Sequence, residues 1–279
     1  MKYTRRLLVM MVIASLVLGA FSAMAHGEHQ AADAAGIPQI TIEKTADGYS
    51  VPAELPEGVV QVTFNNASEA PINATFARLN DGVTLDTLLQ TLGEAGPMGA
   101  LELVALTGGA SVEPGATGQI YAAFKPGSYV LLDMGENAPP PAAFTVADAE
   151  GDGAAAPASD VQVALLDFAF SVPMQLTAGE QLWQIDNNGG QWHEMVVFKI
   201  DDNTTVAQLN DIVAQVSGGE EPSEGVQPAG FMFPISQGET SWVNMNLEAG
   251  SYVAICFLPD FASGHAHFEH GMMQLLSVK

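Results

Sequence analysis

Short runs of β-branched and aromatic residues recur along the chain, separated by Gly, Pro and Asn. Such runs predict strands, because these side chains suit a half-buried pleated surface and the separators favour turns. About seven strands in each half of the chain is the number typical of a β-sandwich. The clearest strand predictions are residues 59–64, 119–124, 128–132, 181–185, 195–198, 242–245 and 252–256.

Two segments show a helical pattern instead. Residues 85–92 and 206–216 carry apolar side chains at i, i+3 and i+4 spacing, with Thr and Asp available as caps before them. This periodicity predicts one short amphipathic helix in each half. The predicted fold class is therefore all-β, with two sandwiches that each carry a short helical insertion.

The two halves of the chain match each other at a nearly constant offset. The matches include Val51 with Val172, Asn66 with Asn187, Leu88 with Leu209, and Gly-Ser-Tyr-Val at 127–130 with the same residues at 250–253. Self-similarity of this kind predicts a tandem duplication. A stretch rich in Asp, Gly, Ala and Pro, residues 148–159, has the composition of a flexible linker. The predicted domains are residues 37–147 and 160–279.

The N-terminus has the features of a secretory signal peptide, predicted to span residues 1–25. Lys2, Arg5 and Arg6 precede an apolar run at 7–21, and Ala-Met-Ala at 23–25 is a small-residue cleavage site. The run is shorter than the roughly twenty apolar residues that a membrane anchor needs. We therefore expect a periplasmic or extracellular protein that does not stay inserted in a membrane after cleavage.

Acidic residues dominate the charge of the chain. There are 32 Asp and Glu against 8 Lys and Arg, a formal net charge of −24. Nucleic acids and anionic membrane surfaces attract Lys and Arg, so this balance argues against both as partners. It favours cations or a basic partner protein, although adaptation to salt or a need for solubility would produce the same composition.

Candidate metal ligands are concentrated between Cys256 and Met272. This segment holds the single cysteine, which cannot form an internal disulfide, together with three of the six histidines. A soft thiolate with imidazoles selects copper or zinc. His193 lies upstream as a further ligand candidate, at the start of an apolar run. The alternative is a buried, inert thiol, since free cysteine is among the most buried residue types.

These motifs resemble those of a known family over residues 160–279. The pattern N-N-x-G-x-x-H ending at His193, followed by an apolar strand, resembles the first-ligand strand of plastocyanins, and H-x3-G-M at 267–272 resembles their last ligand loop. The family is the cupredoxins, which are Greek-key sandwiches. The resemblance implies one type 1 copper ion held by His193, Cys256, His267 and Met272, with Met272 as a weak axial ligand.

Two differences from plastocyanins stand out. The loop from Cys256 to His267 is much longer than theirs, although closing a longer loop costs only slowly growing entropy. Glu194 stands where plastocyanins usually have an asparagine that ties the ligand loops together. The family analogy also implies that His267 is an exposed electron port, with an apolar docking rim at Phe257, Phe261 and Phe268.

Other histidines remain alternative ligands, and the first half of the chain lacks ligands. His265 and His270 flank His267, and His26 and His29 would begin the mature chain. In the first half, Ile72 stands at the position of His193 and Asp133 at that of Cys256. We therefore expect the first sandwich to bind no metal.

The sequence predicts a non-enzyme. Copper enzymes built from these domains place a histidine beside the cysteine ligand, whereas Cys256 is flanked by Ile255 and Phe257, and the chain has no G-x-S-x-G motif. The predicted function is an exported copper-binding protein that carries single electrons to a redox partner protein. The alternative is a metal-free tandem β-sandwich that serves binding or adhesion in the cell envelope.

Overall fold

The computed structural model describes residues 36–135, 138–148, 155–218 and 225–279. The predicted signal peptide, His26 and His29 lie outside these residues, as does part of the predicted linker. Within them the chain forms two compact units. Of the described residues, the N-terminal unit contains 36–135, 138–148, 155–158 and Phe233–Trp242, and the C-terminal unit contains 159–218, 225–232 and Val243–Lys279.

The N-terminal unit is a β-sandwich with one helical insertion. Its two faces have the strand orders β2-β1-β4-β7 and β6-β5-β8-β9-β3. Buried aromatic rings pack edge to face between them, with Phe76 5.1 Å from Phe124 and 6.0 Å from Phe144. The elements in chain order are β1 (Gln39–Thr45), β2 (Gly48–Ser50), β3 (Glu54–Leu55), β4 (Gly58–Asn66), β5 (Ile72–Leu79), α1 (Leu85–Leu101), β6 (Val104–Val112), β7 (Thr117–Phe124), β8 (Gly127–Asp133) and β9 (Ala142–Val146).

The segment Phe233–Trp242 completes the N-terminal unit, although it follows much later in the sequence. Ile235 pairs with Thr107 of β6, and Trp242 pairs with Tyr121 of β7. This segment extends both faces of the unit to which it packs.

The C-terminal unit repeats the same plan. Its faces have the strand orders β11-β10-β13-β16 and β12-β18-β17-β14-β15. The elements in chain order are β10 (Val161–Leu166), β11 (Ala169–Ser171), β12 (Gln175–Leu176), β13 (Gly179–Asn187), β14 (His193–Ile200), α2 (Val206–Ser217), β15 (Gln227–Ile235), β16 (Thr240–Leu247), β17 (Gly250–Ile255), a 3₁₀ turn (His267–His270) and β18 (Met273–Val278). The end of β15 and the start of β16 fall within Phe233–Trp242 and so belong to the N-terminal unit.

The all-β prediction and both helical insertions are confirmed. Each clear strand prediction falls on an observed strand, except that the last of them runs one residue past the end of β17. Helix α1 begins after Thr84, whose side chain accepts from the Thr87 amide, and α2 begins with a capping box formed by Thr205 and Gln208. Helix α1 continues beyond the predicted end at residue 92 and is interrupted at Gly96, where φ is +72°. No helix in the described part of the chain is long and apolar enough to cross a membrane.

Candidate metal centre

Two neighbouring strands of the C-terminal unit bring the first two candidate ligands to the same end of a sheet. Strands β14 and β17 are antiparallel, with Val196 opposite Ile255 and Ile200 opposite Ser251. His193 is the first residue of β14, and Cys256 follows the last residue of β17. The start of one strand therefore lies beside the end of the other, and both residues face the same region.

Backbone hydrogen bonds close the long loop over this end. The His267 amide donates to the Leu258 carbonyl at 2.8 Å, and the Phe268 amide donates to the Cys256 carbonyl at 3.0 Å. The Met272 amide donates to the His267 carbonyl at 3.0 Å, and the Cys256 amide donates to the Met272 carbonyl at 3.2 Å. The loop is longer than in plastocyanins, but its two ends are joined as tightly as a short hairpin.

The loop between these ends has its own internal order. Pro259 and Ala266 form an isolated β-bridge. Between them, the Asp260 carboxylate accepts from the amides of Ala262 and Ser263, at 3.3 and 2.9 Å. These bonds hold the chain in a compact excursion that returns His267 to the strand ends.

Three of the four predicted ligands converge in a buried cluster. The Nδ1 atoms of His193 and His267 lie 3.1 Å apart, and the Cys256 Sγ atom lies 3.4 Å from His267 Nδ1. The ligand atoms of the three residues are all within 4.8 Å of one another, and all three side chains are 0% exposed. Met272 is also fully buried, and its backbone is bonded to both loop ligands.

The donor set of this cluster fits a soft transition metal. One thiolate and two imidazoles are the strong ligands of blue copper sites and are also acceptable to zinc. As arranged, the cluster satisfies its own polar atoms poorly. At most one of the two facing Nδ1 atoms can carry a proton in neutral rings, and His267 Nε2 is buried without a hydrogen-bond partner. A cation between the three donors would use the lone pairs that the protein leaves unmatched.

Burial shifts the protonation of each ligand. It raises the pKa of the Cys256 thiol, and the nearby Glu194 carboxyl raises it further. Burial lowers the pKa of His267 to about 4, with the His193 ring contributing in the same direction. Burial also lowers the pKa of His193, against the opposing effect of Asp167. The imidazoles are therefore neutral and can coordinate a metal. The Cys256 thiol keeps its proton unless a cation binds and stabilises the thiolate.

Glu194 ties the two ligand segments together. Its side chain is buried, and Oε1 accepts from the Phe257 amide at 3.1 Å. Burial raises the pKa of Glu194 to about 7, while the bond from Phe257 acts in the opposite direction. A carboxyl group thus makes a link between the His193 strand and the residue after Cys256. The substitution of Glu for Asn changes the chemistry of the tie without removing it.

The expectation that His267 is an exposed port is wrong. Its side chain is 0% exposed, and the ring of Phe168 covers it with the two ring centroids 5.3 Å apart. The expected docking rim is also incomplete, since Phe257 is buried in the core and Phe268 is half-buried. Phe261 alone of the three is exposed, at 49%. Phe168 was not predicted, because it belongs to a distant hairpin that shares no motif with the ligands.

The two histidines that flank His267 take other partners. His265 Nδ1 lies 3.3 Å from a Glu269 carboxylate oxygen, and both side chains are about half exposed. His270 Nε2 lies 3.0 Å from the Ser263 hydroxyl and 3.7 Å from Asp260. Neither joins the three-residue cluster, which is the single such group found in the part of the chain that the structure describes.

The corresponding end of the N-terminal unit is built from different residues. Ile72 is buried at the start of β5, and Asp133 ends β8. The Asp133 carboxylate accepts from Lys44 Nζ at 2.8 Å and from the Tyr49 hydroxyl. A buried ammonium group from the chain itself therefore pairs with the carboxylate that stands at the position of Cys256.

Several solved structures are similar to part of this chain. An auracyanin from the photosynthetic bacterium Roseiflexus castenholzii, in a dithionite-reduced crystal, is 16% identical, with a TM-score of 0.32, covering 42% of this chain and 94% of that one. Auracyanin A, a "blue" copper protein from the green thermophilic photosynthetic bacterium Chloroflexus aurantiacus, is 18% identical with a TM-score of 0.30, covering 42% and 96%. An azurin from Methylomonas sp. strain J is also 18% identical with a TM-score of 0.30, covering 42% and 95%.

Comparisons of sequence alone give no match. No protein-family model matches this chain, and no curated protein does. These structural matches span less than half of the chain at low TM-scores.

Proposed function

We propose that the chain is an exported copper protein of the cupredoxin type that carries single electrons, with one type 1 copper ion in the C-terminal unit. The observation that carries the proposal is the convergence of His193 Nδ1, His267 Nδ1 and Cys256 Sγ in a buried cluster. Met272 completes the predicted ligand set. It lies five residues after His267, on the backbone segment that is bonded to Cys256.

The protein's part in this function is to fix the positions of the ligand atoms and to keep water away from them. The backbone bonds between the loop ends fix Cys256 and His267, and Glu194 links the segments that carry His193 and Cys256. Copper, when bound, supplies a centre that gains or loses one electron. A frame that offers the same donor positions to both oxidation states keeps the reorganisation small, so that electron exchange needs no bond making.

The predicted tandem duplication and the partner belong to the same proposal. The similar strand orders of the two units support the duplication. In each unit the strand that starts at Ile72 or His193 is antiparallel to the strand that ends at Asp133 or just before Cys256. We infer that the N-terminal unit is a ligand-free copy that serves as a spacer or docking surface. The net charge of −24 favours a basic redox partner. The leader at residues 1–25 directs the chain to the periplasm or the outside of the cell.

A redox titration of the copper-loaded full chain tests electron carriage. We expect the electron paramagnetic resonance signal of Cu(II) to disappear with one reducing equivalent per chain and to return fully on reoxidation. A site that releases its metal on reduction, or that takes up zinc in preference and stays colourless, would contradict the proposal. Zinc would favour a closed tetrahedral site with a structural role. Failure to bind any metal would instead favour the alternative of a metal-free binding or adhesion module. We propose a non-enzymatic role in both cases.

A further inference from the structure

A two-residue turn from another part of the C-terminal unit contacts both histidine ligands. Strands β10 and β11 form a hairpin in which Leu166 pairs with Ala169, so that Asp167 and Phe168 make the turn. Phe168 has φ of +62° and is the one non-glycine residue with positive φ in the described part of the chain. A bulky residue in this left-handed conformation is unusual, and such outliers cluster at functional sites. The turn therefore holds Phe168 against its backbone preference.

Asp167 holds the far side of the His193 ring. Its Oδ1 atom lies 3.2 Å from His193 Nε2 and also accepts from the amides of Gly190 and Gln191, at 2.9 and 3.3 Å. An ionised carboxylate only accepts hydrogen bonds, so Nε2 must carry the proton of the neutral ring. The lone pair is then on Nδ1, the atom that faces Cys256 and His267.

Gly189 makes this approach possible. A Cβ atom at Gly189 would lie 2.6 Å from Asp167 Oδ1 and 2.6 Å from His193 Nε2. Both distances are too short for any side chain, so a larger residue would separate the carboxylate from the imidazole. The Gly189 backbone is itself held in place, because its amide donates to the Asn187 Oδ1 atom at 3.0 Å.

Phe168 covers the second histidine ligand. Its ring centroid is 5.3 Å from that of His267 and 4.6 Å from that of His270. His267 is fully buried and its Nε2 atom has no hydrogen-bond partner, whereas 32% of the His270 side chain is exposed. The apolar ring thus stands where water would otherwise reach the outer face of His267.

The N-terminal unit provides an internal comparison for this turn. The hairpin β1–β2 has the same register as β10–β11. In the first, Lys44 is opposite Tyr49 and Thr45 is opposite Gly48, and in the second Leu165 is opposite Phe170. Its two turn residues are Ala46 and Asp47, and both are exposed. The hairpin forms without the Asp-Phe pair in the unit that lacks candidate ligands, so the fold alone does not require that pair.

We propose that the Asp167–Phe168 turn caps the metal site, with Asp167 as a positioning residue that fixes the tautomer and the donor strength of His193, and Phe168 as the shield of His267. The proposal rests on the proposed copper function. A carboxylate that accepts a hydrogen bond from the Nε2–H group makes Nδ1 a stronger electron-pair donor to the metal. This favours Cu(II) over Cu(I) and lowers the reduction potential. The cap thus sets the potential and limits access to the metal from one side.

Two substitutions separate geometry from charge. Asp167→Asn keeps an acceptor for His193 Nε2 but removes the charge, whereas Asp167→Ala removes both. Asp211→Asn is the matched control, because it removes one charge from an exposed position on helix α2. Loss of an outer-shell partner of a metal-bound histidine typically costs 10–100-fold in metal affinity. If Asp167→Asn weakens Cu(II) binding tenfold and leaves Cu(I) binding unchanged, the potential rises by about 59 mV.

The first measurement uses the metal-free full chain and does not depend on copper. Nitrogen-15 NMR of the histidine rings reports the tautomer of His193. We expect the Nε2-protonated form in the native protein and in Asp167→Asn, and a mixture of tautomers in Asp167→Ala. An unchanged single tautomer in Asp167→Ala would overturn the positioning role, whether or not the protein binds copper.

The second measurement is the reduction potential of the copper-loaded variants. A rise in Asp167→Asn with no change in Asp211→Asn supports the proposal. Equal potentials in the native protein and Asp167→Asn overturn the role of the charge. Failure of the native protein to bind copper overturns the proposed function and, with it, the role of the cap in setting the potential.

Discussion

The Nδ1 atoms of His193 and His267 lie 3.1 Å apart, although 74 positions separate the two residues in the sequence. One comes from the start of strand β14 and the other from a loop that β17 and β18 hold closed. Two buried imidazoles with lowered pKa values cannot both present protons to each other. Their common approach to Cys256 is compatible with a soft cation that all three would share.

Removing the Glu194 side chain should lower the free energy of unfolding. Glu194→Ala leaves the buried Phe257 amide without an acceptor, a loss on the order of 1–3 kcal/mol in the free energy of unfolding. Glu194→Gln keeps an acceptor, so its cost should be smaller. Chemical denaturation of both metal-free variants measures the difference. Equal stability of Glu194→Ala and the native protein would show that the link contributes nothing.

Glu194 should also make the stability of the metal-free protein depend on pH. The pKa of Glu194 is about 7 in the folded protein against an ordinary value of 4.5, so the folded state keeps this proton in a range where the unfolded state has lost it. Stability from this group therefore falls as the pH rises from about 4.5 to about 7, by on the order of 3 kcal/mol. The lowered pKa of His267 has the opposite slope between about 4 and 6.5, because there the unfolded state binds the extra proton.

Comparison with Glu194→Gln isolates the contribution of the carboxyl, since the histidines are the same in both proteins. The unfolding free energy of the native protein, relative to that of Glu194→Gln, should decrease as the pH rises across this range. Parallel stability curves would contradict the raised pKa.

Phe168→Ala should open the site to small ligands. Without the ring, the outer face of His267 becomes accessible to water, and azide should alter the absorption spectrum of the Cu(II) protein. Phe261→Ala is the matched control, because Phe261 is exposed on the ligand loop and contacts Trp192. We expect no azide effect in the native protein or in this control. The same response in both variants would show that Phe168 is not a specific shield.

Breaking the buried ion pair of the N-terminal unit should destabilise that unit strongly. Lys44→Met leaves the Asp133 carboxylate buried without its cation, at a cost of about 3–5 kcal/mol. In Lys44→Met combined with Asp133→Asn, no charge remains buried, so the loss should be smaller than in Lys44→Met alone. Unfolding monitored by circular dichroism in a double-mutant cycle tests this. Additive effects of the two changes would contradict a direct interaction.

Much of the fold was predictable from local patterns. Strands such as β4, β14 and β17 are rich in β-branched and aromatic residues, and most of their residues are buried. Strand β15 was not predicted, because Gln227–Ile235 contains two prolines and a glycine. Helix α1 extends past Gly93 and Gly96, which the sequence pattern would place at or beyond its end.

The candidate ligands were predictable for a different reason. Cysteine, histidine and methionine at short spacing are rare, and their chemistry restricts what they do together. The residues around them were not predictable. Asp167 and Phe168 reach the site from a hairpin turn, and their contacts depend on the packing of β10 and β11 against the rest of the unit. For the same reason the exposure of His267 was predicted wrongly.

The visible absorption spectrum after addition of Cu(II) to the protein without residues 1–25, the predicted signal peptide, tests the central claim most directly. Cys256→Ser is the critical variant, and His265→Ala is a control that removes an exposed histidine outside the cluster. We predict an intense blue or green thiolate-to-copper band in the native protein and in His265→Ala, and its absence in Cys256→Ser. A colourless native protein, or a band that survives in Cys256→Ser, would contradict the assignment of a type 1 copper site.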